Sequence, residues 1–156
     1  IADAVLRLAE VGEAPEAICC LYATAPFVRP EDIRAALDIL ERDRAPFVFP
    51  VTTFDFPIDR ALMREPDGGV KMRHPEHLLT RSQDLPEYFH DAGQFYWGTA
   101  LAWKEGLPVY SSSSRTILLP RYRVQDIDSI EDWKRAELIF ESLARPDKSL
   151  WSGWDE

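Results

Sequence analysis

Residues 17–54 read AICCLYATAPFVRPEDIRAALDILERDRAPFVFPVTTF, and their hydrophobic pattern changes twice along the way. Ala17 to Ala23 is a short, continuously apolar run, as expected of a strand buried on both faces of a sheet. A proline-containing loop, TAPF, follows it. Pro30 then stands at a suitable first helical position, with Glu31 and Asp32 where the helix dipole favours negative charge. Ile33, Ala36, Leu37 and Leu40 recur at helical spacing and predict its buried stripe. Phe47 to Phe54 is β-rich again, and Pro50 within it predicts a bulge or an edge position.

Before this stretch, IADAVLRLAE at residues 1–10 is helical, with Ala4, Val5, Leu8 and Ala9 on one stripe. After it, residues 55–90 scatter proline, glycine and charge through FPIDR, EPDGG, HPEH and DLPEY, which predicts an extended arm of short strands with a turn at PDGG. GQFYWG is an aromatic strand candidate, TALAWKEG a short helix ending at Gly106, SSSS (Ser111 to Ser114) a flexible loop and TILLP another strand. Ser129 is placed to cap the last helix, and Asp132 at its third position completes a capping box. Ile130, Trp133, Ala136, Phe140 and Leu143 supply that helix's apolar face, and Trp151 and Trp154 in the tail read as anchors onto the domain or a partner chain. The succession of helices and strands predicts an α/β sandwich, and a length of 156 residues suits one domain, 1–156.

Composition excludes several classes. With 46% hydrophobic and 29% charged residues, the chain is neither disordered nor fibrous. A net charge of −9 has the wrong sign for nonspecific binding to a polyanion, so no nucleic acid partner is expected. No apolar run is long enough to span a bilayer, and no membrane partner is expected. Cys19 and Cys20, adjacent in an apolar run, fit no disulfide framework or zinc site and read as buried thiols of a cytoplasmic protein on opposite faces of a strand.

Chemistry concentrates in RSQDLPEYFHDAGQFYWG, residues 81–98: a cation (Arg81), amides (Gln83, Gln94), carboxylates (Asp84, Asp91), an imidazole (His90) and rings (Tyr88, Tyr96, Trp97). A polyhydroxylated acid needs a guanidinium for its carboxylate, amides and carboxylates for its hydroxyls, and rings for its apolar faces, so the set suits a sugar acid. Gln94, Tyr96 and Gly98 would share one face of a strand, with Phe95 and Trp97 on the other. An irregular surface loop running into a core strand would account for the same residues. In VQDID, Asp126 and Asp128 at i, i+2 would point the same way from an extended segment and could share one divalent cation, although Asp128 also stands where it could serve a helix cap. HPEH brings His74 and His77 close, but Pro75 and the missing third ligand argue against zinc.

CCLYATAPF, FVFPVTTFDFPI, RSQDLPEYFHDAGQFYWG and VQDIDSIEDWKRAEL, in this order and spacing, resemble the acylneuraminate cytidylyltransferases, the enzymes that activate nonulosonic acids. The resemblance implies a three-layer nucleotide-binding α/β sandwich, similar to nucleotide-diphospho-sugar transferases, in a homodimer whose extended arm (residues 55–90 here) reaches the neighbouring subunit's site. It implies CTP and a nonulosonic acid as substrates and magnesium as cofactor. Thr24 and Ala25 would line the floor where nucleotide and sugar meet, Arg81 and Gln83 would approach the sugar acid, and Asp91, Gln94 and Tyr96 would line its pocket. Asp126 and Asp128 would be the metal-binding, catalytic carboxylates. DAGQFY, in place of an NGAIY-like pocket strand, favours pseudaminic acid over N-acetylneuraminic acid.

One departure accompanies the resemblance. The family opens with a strand and a basic, glycine-containing loop typified by PARGGSKR that binds the triphosphate, and no such segment is present, so an N-terminally incomplete domain is expected. Two other classes fit the residues: a metal-dependent glycosyltransferase using the Asp-x-Asp pair, and a noncatalytic fragment serving as a sugar-binding or dimerisation module.

Overall fold

The structure is a computed structural model that describes residues 1–144; Trp151 and Trp154 lie outside the described residues. Four helices, α1 (Ala2–Glu10), α2 (Pro30–Asp43), α3 (Ala100–Glu105) and α4 (Ile130–Ala144), alternate with strands β1 (Ala17–Leu21), β2 (Phe47–Thr53), β3 (Leu62–Arg64), β4 (Val70–Met72), β5 (Phe89–Asp91), β6 (Phe95–Thr99) and β7 (Arg115–Leu118). The main sheet is mixed. β6 pairs antiparallel with both β1 and β2, β5 pairs antiparallel with β2, and β7 runs parallel to β2. Val48 and Val51 each pair with β7 while also pairing with Trp97 of β6 and Asp91 of β5, so β5 and β6 share one edge of β2 and β7 takes the other.

β2 is therefore the central strand, buried from Phe47 to Thr52. Pro50 sits in its middle, not at an edge. Its carbonyl accepts from the Ala92 N–H at 3.0 Å, so its missing N–H faces the same side, where residues 92–94 bulge out between β5 and β6. The bulge foreseen from Pro50 lies in the partner strand. α2 covers one face: Ala36 and Leu40 pack on Val48 and Phe95, with Ile33, Leu37 and Trp97 beside them. On the opposite face the Trp103 ring meets Phe47 edge-on at 4.9 Å. Gly98 leaves the room for that contact, since a Cβ there would stand 2.5 Å from Trp103 Nε1 and 2.6 Å from the Phe47 ring.

Three expectations change. β1 was expected buried on both faces but forms an end of the sheet and is only half-buried, because its sole strand partner among the described residues is β6. Of the apolar stripe expected on α1 only Val5 is buried, and of that on α4 only Ala136. α1 packs on α3 through part of its face, and the other residues of both stripes are exposed. SSSS is a hydrogen-bonded turn, in which Ser114 Oγ donates to the Val109 carbonyl at 2.6 Å and Ser111 Oγ lies 2.9 Å from Ser113 Oγ.

The arm carries a separate two-stranded sheet, β3 with β4. Its turn falls at PDGG, where Glu65 N–H donates to the Gly69 carbonyl at 2.8 Å and Gly68 adopts φ +91°, a conformation that favours glycine.

Candidate functional site

Beyond the carboxyl ends of the parallel pair β2 and β7 lies a cleft of about 800 Å³, the position where open α/β sheets bind ligands. One wall is Thr52 and the segment Phe54–Phe56 after β2; the second is His90, Asp91 and Ala92 at the bulge. The third is the chain leaving β7, with Arg121, Gln125, Asp126 and Asp128, continued by Asp132 and Arg135 of α4. Backbone bonding aims that third wall: Leu119 N–H donates to the Val51 carbonyl at 2.8 Å, and the buried Thr52 hydroxyl donates back to the Leu119 carbonyl at 2.9 Å.

Asp126 and Asp128 both line this cleft. Gly93, at φ +62°, turns the bulge so closely beneath Asp126 that a Cβ there would lie 3.4 Å from its carboxylate. Gln94, buried at 2% exposure, holds the same segment through a bond from its amide nitrogen to the Arg123 carbonyl at 2.7 Å. The Arg123 side chain in turn reaches inward to Asp32 in the first turn of α2. Gln94 therefore does not share a strand face with Tyr96 as the alternation predicted. It belongs to the bulge, where the period of two is broken; its amide nitrogen is spent on the backbone, and its Oε1 has no partner among the described residues.

Asp91 is equally committed. Its Oδ1 accepts from the Gly93 N–H at 2.8 Å, and its Oδ2 accepts from Tyr96 and from Tyr110, the latter at 2.5 Å. Burial first, then the bond to Asp91, pushes the Tyr96 hydroxyl well above its ordinary pKa; for Tyr110 the bond to Asp91 is the leading cause of a rise. Tyr96 lines a different, aromatic cavity of about 240 Å³ with Tyr22, Trp103 and Tyr110, and it reaches the main cleft only through Asp91. Beside Asp91, His90 Nδ1 lies 2.8 Å from the Asp91 carbonyl, which can only accept, so Nδ1 carries the proton.

The remaining candidates stand apart. Gln83 lines an adjoining cavity of about 350 Å³ that shares Phe54, Asp55, Phe56 and Arg121 with the main cleft. Arg81 is exposed and paired with Asp84 at 2.9 Å, away from the lining of either. Thr24 is exposed and Ala25 buried in the loop after β1, and neither lines these cavities. His74 and His77 pair separately with Glu76 and Thr80. Among the described residues no three His, Cys, Asp or Glu side chains cluster as a metal cage.

Ser129 caps α4 as expected: its Oγ accepts from the Asp132 N–H at 3.2 Å and the Asp132 carboxylate accepts from the Ser129 N–H at 2.9 Å. The Ser129 bonds, first among causes, hold the Asp132 carboxyl below its usual range. Cys19 packs towards the core and Cys20 lines the aromatic cavity, on opposite faces, and burial aided by the neighbouring Cys20 pushes the Cys19 thiol up to about 11. That thiol is poorly ionised at neutral pH and unsuited to nucleophilic work.

Arg121, Arg135 and Asp55 escaped the sequence reading. They sit in three different elements, and no local spacing joins them.

In class, then, the chain is a mixed α/β protein with a carboxylate-rich cleft at the strand ends. Its relatives are cytidylyltransferases. It is 38% identical over 123 residues, 79% of its length, to pseudaminic acid cytidylyltransferase of Campylobacter jejuni, of which the match covers 53%. It is 36% identical over 110 residues, 70% of its length, to a two-function Helicobacter pylori protein named as the same cytidylyltransferase and a UDP-sugar hydrolase, of which 21% is covered. N-acylneuraminate cytidylyltransferase B of Danio rerio is 28% identical over 123 residues, covering 78% of this chain and 29% of that protein. The chain spans about half the length of the curated Campylobacter relatives it matches. No protein-family model matches it. The resemblance seen in the sequence is thus shown: this chain is a relative of the pseudaminic acid cytidylyltransferases.

Proposed function

We propose that the protein transfers a cytidylyl group from CTP to the anomeric hydroxyl of pseudaminic acid. The hydroxyl oxygen bonds to the α-phosphorus, the bond to the pyrophosphate oxygen breaks so that pyrophosphate leaves, and the hydroxyl proton passes to solvent. The observation that carries the reading is the meeting of Asp126 and Asp128 in one cleft of a chain whose relatives bear this name. Such a displacement depends on alignment and charge neutralisation more than on covalent chemistry by the protein.

The donor set suits magnesium, a hard cation that takes oxygen ligands and is often held by one or two carboxylates with substrate phosphates. Asp126 and Asp128 would hold it, and it would neutralise phosphate charge and acidify the attacking hydroxyl. The chain's own residues do the rest. Gly93 and Gln94 fix the position of Asp126, and Asp91, locked by Tyr96 and Tyr110, shapes the wall opposite. Thr24 and Ala25 keep their place at the nucleotide–sugar floor on the resemblance alone.

The finer architecture belongs to the same reading: a three-layer nucleotide-binding sandwich, one domain over 1–156, in a cytoplasmic homodimer built through the arm at 55–90. α2 and Trp103 on opposite faces of the sheet support the layering. Arg81, exposed and outside its own chain's cavities, is disposed as a side chain serving a neighbouring subunit's sugar would be. No described helix is long and apolar enough to cross a membrane.

The test is pyrophosphate release by the full-length protein from CTP and magnesium, with pseudaminic or N-acetylneuraminic acid. Release with pseudaminic acid alone is expected. Release with N-acetylneuraminic acid alone would transfer the reading to the activity in the Danio rerio relative's name. Release with neither would reject both.

A further inference from the structure

The carboxylates of the main cleft have an unassigned counterpart. Asp55, Asp91, Asp126, Asp128 and Asp132 line it, and among the described residues Arg121 and Arg135 are its only permanent cations. An anionic ligand entering so many carboxylates is repelled unless cations answer it.

Both guanidinium groups approach one carboxylate. Arg121 Nε lies 3.3 Å from Asp55 Oδ1, and Arg135 Nη2 lies 4.0 Å from Asp55 Oδ2. Arg121 Nη1 also donates to the Phe54 carbonyl at 3.3 Å. That leaves Nη2 of Arg121, and Nε and Nη1 of Arg135, with no acceptor among the described residues. Two guanidinium groups beside a shared carboxylate keep donors for an incoming oxyanion, which pairs with guanidinium in a planar, bidentate fashion. Arg121 lines the adjoining cavity as well, beside Gln83, so it stands where the two cavities meet.

We propose that Arg121 and Arg135, which meet at Asp55, form an oxyanion site that binds the carboxylate or a phosphate of a substrate in the main cleft. The identity of that ligand rests on the cytidylyltransferase reading. Arg81 cannot fill the place within its own chain, being paired with Asp84 outside both cavities.

The experiment uses the full-length protein with Arg121→Gln and Arg135→Gln combined, and a second variant with both arginines changed to lysine. Circular dichroism checks that each is folded. Pyrophosphate release is followed with the sugar acid and CTP varied separately. The guanidinium groups are partly exposed, so a moderate effect is expected, a rise in KM of at least tenfold for one substrate in the glutamine variant, with partial recovery by lysine. A rise for the sugar acid identifies a carboxylate site and a rise for CTP a phosphate site; either upholds the proposal. Both KM values within twofold of the unaltered protein would overturn it. If the unaltered protein releases no pyrophosphate, the cytidylyltransferase reading fails by itself. The oxyanion site is then judged by equilibrium binding of N-acetylneuraminic acid and of inorganic pyrophosphate. Loss of either ligand in the glutamine variant upholds the site, whereas equal binding, or none to the unaltered protein, overturns it.

Discussion

Residues 17–54 and residues 55–90 send their apolar side chains to opposite ends. In the first region Ala36 and Val48 are fully buried between α2 and the sheet, and Phe47 is fully buried against Trp103 on the opposite face. In the second Phe56, Leu62, Val70, Leu78 and Leu79 are exposed, Leu79 to 92%. The difference lies in layering. β2 has strands on both edges and packing on both faces, whereas each strand of the β3–β4 hairpin has one partner strand and no second sheet or α-helix layer among the described residues. A lone two-stranded hairpin is marginal in water, so the arm's order draws on contacts elsewhere, consistent with the proposed homodimer.

The largest effect should come from the core. Phe47→Ala removes the ring that meets Trp103 and fills the space above Gly98, and should cost about 3–5 kcal/mol in urea unfolding. A loss near that of a surface change would break the contrast between the two regions. Gln94→Ala should cost less, about 1–3 kcal/mol, for the loss of its bond to the Arg123 carbonyl in a buried place. Because that bond holds the segment leading to Asp126, the proposed magnesium binding, measured by calorimetry on the unaltered protein and the variant, should be weaker in the variant. Unaltered metal affinity would make Gln94 a purely structural residue.

These residues also show what the sequence could disclose. α2, β2 and the α4 cap were legible because each is specified locally: Pro30 at the first helical position, a stripe at helical spacing, and Ser129 with Asp132 in a capping box. Asp126 and Asp128 were legible as a pair because their spacing is short. The edge position of β1 was not, since an apolar run reads alike whether or not a neighbouring strand covers it. Gln94 misled for another reason: Val51 lies three positions after Val48 in β2 while Trp97 lies six positions after Asp91, and only pairing reveals that slip. The Arg121–Asp55–Arg135 group was hidden because it is assembled by tertiary structure alone.

A smaller effect should appear at alkaline pH. The Tyr96 hydroxyl is held above its ordinary value of 10.0, by burial and then by Asp91, so the native state favours the protonated ring. Its contribution is complete below about 10 and declines above it, where the unfolded chain loses the proton first. Denaturant midpoints taken between pH 8 and 11 should therefore fall more steeply for the unaltered protein than for Tyr96→Phe. Parallel curves would mean that the Tyr96–Asp91 bond contributes nothing selective to the fold.

The smallest effect belongs to the arm, and it sharpens the comparison most. Leu79 is almost wholly exposed, so within one chain Leu79→Ser removes little contact and should shift unfolding of dilute protein by no more than about 0.5 kcal/mol. If the arm is ordered by a second copy, the same change uncovers its cost on association, and sedimentation should show a weaker dimer at unchanged monomer stability. A loss above 1 kcal/mol in dilute protein would place Leu79 in a core of its own chain and remove the distinction between the two regions. A neutral result in both measurements would confine the arm's apolar contact to Leu62, Val70 and their neighbours on the hairpin, where the corresponding serine substitutions repeat the test.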